Sequence, residues 1–196
     1  MKKLIFPLLA LMLILAACGN NSSDDASKKD KEEKTYTQDS GKKVKIPKDP
    51  KRIVVLGATY AGGLKELDAN IVGVANIVDD SKVLKDKFKD VDKVDAENVE
   101  SVAKLKPDLI IADVQRHKGI SEDLKKIAPT LVLKSREASY DDVNGSFKTI
   151  GKALGKEDKA KQLLEDQDAK IKKAKDIVTT KENKGQKVLI AVARED

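Results

Sequence analysis

Histidine, cysteine and aromatic residues are scarce in this sequence. Its 196 residues include one histidine, one cysteine, no tryptophan, three tyrosines and three phenylalanines. A single histidine and a single cysteine cannot form the common zinc sites, and a lone cysteine cannot form an intrachain disulfide. The few aromatic side chains also leave little material for a pocket of stacked rings. The composition therefore disfavours both a common zinc site and an aromatic pocket.

The common nucleotide-binding and hydrolase motifs are also missing. The sequence has no G-x-x-x-x-G-K-[ST], and "GATYAGG" is not a G-x-G-x-x-G. A nucleophile–histidine–acid triad would need His117, but no G-x-S-x-G is present. A surface hydrolase that uses His117 is therefore a remote alternative. Tyr36, Tyr60 and Tyr140 could in principle bind ferric iron with His117, but their sequence contexts do not obviously converge.

Basic residues exceed acidic residues by a small margin. The chain holds 39 Lys and Arg and 33 Asp and Glu, a net charge of +6. Lys2 and Lys3 lie in the N-terminal segment that is interpreted below as a signal peptide. Without them the chain has 37 basic and 33 acidic residues. Acids and bases are mixed along the chain, whereas nucleic-acid-binding proteins gather basic residues on one face. We expect no nucleic-acid partner.

The first 18 residues, "MKKLIFPLLALMLILAAC", combine two lysines with a short apolar run. This pattern is typical of a secretory signal peptide, and the run is shorter than the ~20 residues that span a bilayer. The ending "LAAC" resembles the lipobox of bacterial lipoproteins, in which the cysteine receives a diacylglycerol and becomes the new N-terminus. The resemblance implies that residues 1–17 are removed and that Cys18 anchors the chain in the lipid bilayer.

A polar segment follows the cysteine. Residues 19–34, "GNNSSDDASKKDKEEK", contain no large apolar side chain and mix both charges. Such a segment cannot form a core and predicts a flexible leash. We assign residues 18–45 to a flexible linker and lead-in, and the folded lobe to residues 46–156.

Within this lobe, short apolar runs alternate with helical patterns. The apolar runs predict buried strands over residues 52–56, 71–75, 109–113 and 130–133. The spacing of apolar residues predicts helices over residues 60–67, 98–105, 120–128 and 144–156. Ser121 is a candidate cap of the third helix. The fold class is therefore α/β, with a mostly parallel sheet flanked by helices.

Residues 157–178 predict a single long helix. At 1.5 Å per residue it would measure about 33 Å. Its apolar stripe consists of Ala160, Leu164, Ile171, Ala174 and Val178. We assign residues 157–180 to an interlobe helix. Residues 187–196, "KVLIAVARED", predict a fifth strand, which we interpret as the start of a truncated second lobe.

Arginine is the rarer base, and its positions are informative. Only four basic residues are Arg. Arg116, Arg136 and Arg194 each follow the carboxyl end of an apolar run, where open α/β sheets bind their ligands. The guanidinium group pairs bidentately with carboxylates. These positions predict a small polyanionic ligand. His117 would assist by donating a hydrogen bond or, below pH about 6.5, a charge.

Residues 105–142, from "LKPDLIIADVQRHKG" to "LKSREASYDD", resemble bacterial ferric dicitrate-binding proteins. Residues 46–74 resemble the ferric hydroxamate-binding lipoproteins of Gram-positive bacteria. Both groups are iron–siderophore substrate-binding proteins of ABC importers. The resemblance implies two α/β lobes joined by one long helix, with the ligand between them. It places Arg116, His117, Arg136 and Arg194 at the cleft, with Tyr60 lining it, and makes Glu100 a docking residue for the permease.

The resemblance further implies a receptor without catalysis. The expected protein is a monomer on the outer face of the cytoplasmic membrane of a Gram-positive bacterium, and it delivers its ligand to an ABC permease and its ATPase. The siderophore supplies the ligands of iron(III), so no intrinsic cofactor and no protein metal site are expected. Anionic ferric citrate suits a cleft lined by arginines, and a ferric hydroxamate is the alternative. Half a cleft covers little of a ligand, so this chain alone is expected to bind weakly.

Overall fold

Strands and helices alternate through most of the chain. The computed structural model describes residues 33–38, 41–135 and 137–179. The strands are β1 (Glu33–Thr37), β2 (Lys43–Pro47), β3 (Ile53–Val55), β4 (Ile71–Ala75), β5 (Asp92–Val94), β6 (Leu109–Asp113) and β7 (Thr130–Leu133). The helices are α1 (Ala58–Glu66), α2 (Lys82–Lys87), α3 (Val99–Lys104), α4 (Ser121–Ile127), α5 (Tyr140–Ala153) and α6 (Glu157–Val178). Of the helices in these ranges, none has the length and apolar character needed to cross a bilayer.

Strands β3 to β7 form one parallel sheet in the order β5-β4-β3-β6-β7. The strand order reverses at β3, because β4 and β5 lie on one side of it and β6 and β7 on the other. Every residue of β3, β6 and β7 is buried, as expected for strands covered by helices on both faces. The predicted α/β class and its four predicted strands are confirmed.

The sheet separates two apolar layers. Ile53, Val55, Leu109 and Ile111 point to the layer that also holds buried residues of α1, α5 and α6. The alternate residues Val54 and Ile110 point to the layer on which α3 and α4 pack. This alternation follows from the two-residue period of a strand. The carboxyl ends of the central strands are thereby held in place from both faces.

Within the predicted lobe, the sequence patterns miss two of the labelled elements, β5 and α2. β5 has three residues, of which only Val94 is buried, and α2 has six residues with none buried. Neither element offers a periodic apolar pattern long enough to recognise. The caps of two helices also differ from the prediction. Ile120 rather than Ser121 precedes α4, and α5 begins four residues early because Ser139 and Asp142 form a capping box.

Strands β1 and β2 pair as an antiparallel hairpin that the sequence analysis assigns to a flexible linker. Tyr36 and Ile46 are 5% and 0% exposed and belong to the core. Gln38 Nε2 donates a hydrogen bond to the main-chain oxygen of Thr130, 3.3 Å away. The linker prediction is therefore wrong for residues 33–38 and 41–45. Lysines on alternate positions of β2 give this half-buried strand the composition of a polar linker.

The long helix α6 occupies the predicted residues, and only its first half is covered. Ala160 and Leu164 are buried against the core, whereas Ile177 and Val178 are 58% and 61% exposed. Four predictions concern residues outside the described ranges: the signal peptide (1–17), the anchor Cys18, the leash over 19–32 and the strand over 187–196. They stay predictions.

Gly151 offers a test of the packing between α5 and α6. A Cβ at this position would lie 2.5 Å from Ala160 Cβ and 3.4 Å from the Lys156 main-chain oxygen. We expect Gly151→Ala to push the two helices apart and to lower the free energy of unfolding by about 1–3 kcal/mol. Urea unfolding followed by circular dichroism measures this change.

Gly145 is the matched control, because it lies in the same helix and a Cβ there would meet nothing within 4 Å. Gly145→Ala should raise the free energy of unfolding by up to about 1 kcal/mol, through helix propensity alone. Equal stability of the two variants would contradict the close packing of α5 on α6.

Candidate functional site

A cleft of about 590 Å³ opens at the carboxyl ends of the central strands. Its walls are residues 56–59 after β3, the end of β6 with the loop that follows it, Ser135 after β7, and Glu97 before α3. The cleft lies where the strand order reverses between β3 and β6. In open α/β sheets this is the position at which loops diverge and leave room for a ligand.

The carboxylate of Asp113 organises the wall of this cleft. Its Oδ1 accepts hydrogen bonds from the main-chain N–H groups of Gln115 at 2.8 Å and Arg116 at 2.6 Å, and its Oδ2 accepts one from the Ser135 hydroxyl. Asp113 is 4% exposed. Burial by itself raises the pKa of this carboxyl, but these three donors stabilise the ionised form and bring the pKa below its ordinary value.

Arg116 places its side chain in the same wall. The residue is exposed, and its guanidinium group has no hydrogen-bond or ion-pair partner among the residues that the structure describes. Its main-chain N–H is fixed by Asp113. An anchored backbone with a free planar fork is an arrangement suited to a carboxylate ligand that enters the cleft.

His117 lies beneath this loop and not in its surface. It is fully buried, and its Nδ1 accepts a hydrogen bond from the Asp113 main-chain N–H, 2.8 Å away. The ring proton of the neutral form therefore sits on Nε2, a buried atom without a hydrogen-bond partner among the described residues.

Burial lowers the pKa of His117 below its ordinary value, although the nearby Asp113 acts in the opposite direction. The expectation that His117 becomes charged below pH about 6.5 is therefore wrong, because ionisation requires a lower pH. The position supports a role in shaping the loop rather than a direct hydrogen bond to a ligand.

Tyr60 and Glu100 lie in different surroundings from each other. Tyr60 is 2% exposed, and its hydroxyl donates a hydrogen bond to the Lys134 main-chain oxygen. Its neighbour Thr59, rather than Tyr60, lines the cleft. Glu100 is exposed in the first turn of α3 and forms an ion pair with Lys104 at 3.2 Å. Arg136 and Arg194 lie outside the described residues, so their predicted places at the cleft stay predictions.

Sequence reasoning overlooks five polar residues of the cleft: Thr59, Glu97, Asp113, Gln115 and Ser135. A signal for Asp113 exists, since an aspartate that ends an apolar strand commonly binds the N–H groups of the next turn. Glu97 gives no such signal, because only the position of β5 in the sheet brings it to the cleft.

The site offers binding groups and no catalytic set in the described part of the chain. No group of three or more His, Cys, Asp or Glu there could hold a metal ion. Ser135 donates to Asp113, and His117 accepts from a main-chain N–H. His117 is therefore not placed to activate the serine, and the geometry gives no support to a hydrolase that uses His117 as its base.

His117 should make the stability of the protein depend on pH. Its folded pKa lies below the unfolded value of about 6.5, so the unfolded chain binds more protons between these two values. We expect the free energy of unfolding to fall as the pH drops from about 6.5 towards the folded pKa. Each unit of pKa difference corresponds to about 1.4 kcal/mol.

Two measurements check this expectation. The imidazole proton resonance of the sole histidine reports its pKa directly by NMR, and urea unfolding between pH 5 and 7 reports stability. His117→Gln is the control, because it should remove the pH dependence in the interval above the ordinary pKa values of Asp and Glu. A histidine that titrates at or above pH 6.5 would contradict the burial argument.

Comparisons with known proteins agree with this architecture. The family model described as periplasmic binding protein matches residues 53–195. The Fe(3+)-citrate-binding protein YfmC of Bacillus subtilis is 41% identical over 168 residues, which cover 81% of this chain and 51% of YfmC. The iron(3+)-hydroxamate-binding protein FhuD of the same organism is 39% identical over 150 residues, covering 75% of this chain and 45% of FhuD.

Solved structures show the same likeness. The structure of unliganded FhuD2 from Staphylococcus aureus superposes with a TM-score of 0.65 at 48% identity, and the match covers 75% of this chain and 52% of that one. The chain thus spans about half the length of the proteins it matches. On the extent of the family match and the agreement in fold, the chain belongs to the periplasmic binding protein family.

Proposed function

We propose that this chain supplies the first lobe of a receptor that captures an iron(III)–siderophore complex and delivers it to an ABC importer. The observation that carries the proposal is the cleft at the strand reversal, into whose wall Arg116 brings an unpaired guanidinium. The relatives whose names include a ligand bind iron–citrate, iron–hydroxamate or petrobactin. In such a receptor the iron is cargo held by the siderophore, so the cleft needs to recognise only the complex.

A carboxylate siderophore, and ferric citrate in particular, is the substrate we favour. The guanidinium of Arg116 is unpaired among the described residues. The negative charge of Asp113 is already stabilised by three hydrogen-bond donors. The cleft wall therefore offers an anionic ligand one available cation. Arg136 follows Ser135 directly, and we propose that it and Arg194 add further cations to the same site. Tyr60 and His117 would support the walls from behind.

A ferric hydroxamate is the second candidate. The likeness to FhuD and FhuD2 supports it. So does the Glu97 carboxylate in the cleft wall, because it disfavours a strongly anionic ligand and tolerates a neutral one. The two candidates therefore differ in the charge of the ligand, which an experiment can vary.

The remaining parts of the proposal concern placement in the cell. We propose that residues 1–17 are removed, that Cys18 carries the lipid anchor on the outer face of the cytoplasmic membrane, and that α6 leads to a second lobe. Glu100 is exposed and lies one turn after Glu97, on the same edge of the sheet as the cleft. This position is compatible with docking on a permease that receives the ligand.

Arg116→Ala tests the choice of ligand. Loss of a charge-assisted bidentate contact costs about 1.5–3 kcal/mol, so we expect the affinity for ferric citrate to fall about 10- to 100-fold. Equilibrium dialysis with radioactive iron, at low and at high salt, measures this change. The effect should shrink at high salt, because exposed charges are screened.

Lys118→Ala is the matched control, since Lys118 is an exposed cation of the same loop that does not line the cleft. It should change the affinity less than about three-fold. Tighter binding of a neutral ferric hydroxamate than of ferric citrate, with no effect of Arg116→Ala, would overturn the citrate assignment and favour the second candidate.

A further inference from the structure

The surplus positive charge of the folded chain is concentrated in its first 20 residues. Residues 33–52 contain seven Lys and Arg and three Asp and Glu, whereas residues 53–196 contain 27 and 26. The later part of the chain is therefore nearly balanced. The excess of basic residues thus lies in the β1–β2 hairpin and the turn after it, and not in the parallel sheet or its helices.

Two of these lysines are exposed on the same face of the β1–β2 hairpin. On β2, Lys43 and Lys45 are exposed, while Val44 and Ile46 face the core. Their cross-strand partners Thr37 and Thr35 are exposed as well. Because paired residues of an antiparallel ladder share a face, the outer face of the hairpin presents two lysines and two threonines, with Glu33 at its end.

Two nearby acids pair mainly with other lysines. Asp49 pairs with Lys51, and Glu122 pairs with Lys125 at 2.6 Å and also attracts Lys42. Within the described ranges, Lys43 and Lys45 have no ion-pair partner. Together with Lys42 and Lys125 they border a groove of about 470 Å³ that runs between the hairpin and residues 127–130. A cationic surface with a groove fits anionic head groups better than an apolar partner.

The cationic face and the cleft occupy opposite edges of the sheet. The groove borders Thr130, the first residue of β7. The cleft borders Asp113, the last residue of β6, and Ser135, two residues past the end of β7. The strands are parallel, so the hairpin lies at their amino ends and the cleft at their carboxyl ends. Glu100 shares the cleft edge.

We propose that the outer face of the hairpin, around Lys42, Lys43 and Lys45, docks on the anionic lipid head groups of the membrane that carries the anchor. The inference rests on the proposed lipid anchor at Cys18. Fourteen residues separate Cys18 from Glu33, and a chain of this length reaches at most about 50 Å. The anchor thus keeps the hairpin near the bilayer, where each lysine close to an anionic surface contributes about a five-fold gain in binding.

This docking has a consequence for ligand capture. With the hairpin on the bilayer, the cleft and Glu100 face away from the membrane, towards incoming ligand. Glu100 can contact a permease in the membrane only when the edge of the sheet that holds the cleft faces the membrane. The two contacts therefore exclude each other, and the docked state is a resting orientation from which the receptor must turn to deliver its ligand.

Lysine footprinting tests the proposal on the unmodified protein. The full chain is produced in bacteria, its lipid is verified by mass spectrometry, and it is placed on phosphatidylcholine vesicles with or without phosphatidylglycerol. A water-soluble acylating reagent then labels exposed lysines. On anionic vesicles we expect Lys43 and Lys45 to react about five-fold more slowly than on neutral ones, while Lys118 near the cleft stays reactive. About 1 M NaCl, where the Debye length is about 3 Å, should abolish the difference.

A pair of variants with the same change in charge provides the control. In Lys42→Glu/Lys43→Glu, the remaining Lys45 of the outer face should react equally on both kinds of vesicle. In Lys170→Glu/Lys172→Glu, on the exposed face of α6, Lys45 should remain protected on the anionic vesicles. Because the main result comes from the unmodified chain, a folding defect in a variant would not decide the outcome.

Three outcomes would overturn the docking proposal. These are slower labelling of Lys118 in place of Lys43 and Lys45, equal labelling on neutral and anionic vesicles, and the same protection by soluble polyphosphate without vesicles. The last would identify a general polyanion site instead of a membrane contact. Flotation with neutral vesicles tests the lipid anchor by itself, and dialysis with ferric siderophores tests ligand binding. A negative result in either experiment can therefore be told apart from a negative result for docking.

Discussion

The buried carboxylate of Asp113 is the interaction on which the geometry of the cleft depends. It closes the end of β6, fixes the main chain of Arg116 through one oxygen, and reaches the segment after β7 through the other. A buried charge is tolerated only where several donors surround it, and here three donors do so. The same groups that stabilise the carboxylate therefore also position the main chain of Arg116 and the side chain of Ser135.

His117 completes this arrangement from inside the loop. Its ring accepts the main-chain N–H of Asp113 and fills the space beneath the turn. The sole histidine of the chain is thereby committed to the neutral form near neutral pH, and Arg116 is the group of this pair that is free to meet a ligand. A buried, neutral ring thus lies beside an exposed, permanently charged guanidinium, so that the proposed recognition would fall to Arg116 and the shaping of the loop to His117.

The parallel sheet gives the lobe two edges with different chemistry. The carboxyl edge has the cleft, where acidic residues and one arginine meet, and the amino edge has the lysine-rich hairpin. Parallel strands produce this polarity because all loops of one kind, strand to helix, emerge on the same side. Under the proposed function and the proposed anchor, this asymmetry would give the chain an orientation, with the hairpin towards the membrane and the cleft towards the ligand.

The sequence by itself determined the α/β class, four strands and the bounds of the long helix. These features rest on local patterns, namely uninterrupted apolar runs and a stripe of helical period that need no knowledge of distant residues. It also placed Arg116 after β6, because the end of an apolar run marks the end of a buried strand. The half-buried β1–β2 hairpin was not predicted, because alternate lysines give β2 the composition of a linker.

Only the tertiary structure decided how these pieces face one another. Tyr60 turns into the core while Thr59 lines the cleft, and Glu97 joins Asp113 and Ser135 from a distant part of the chain. Such choices depend on which strands are neighbours and on which side chains compete for the same interior space. Neither quantity is contained in a local pattern, because both are set by packing between residues far apart in sequence.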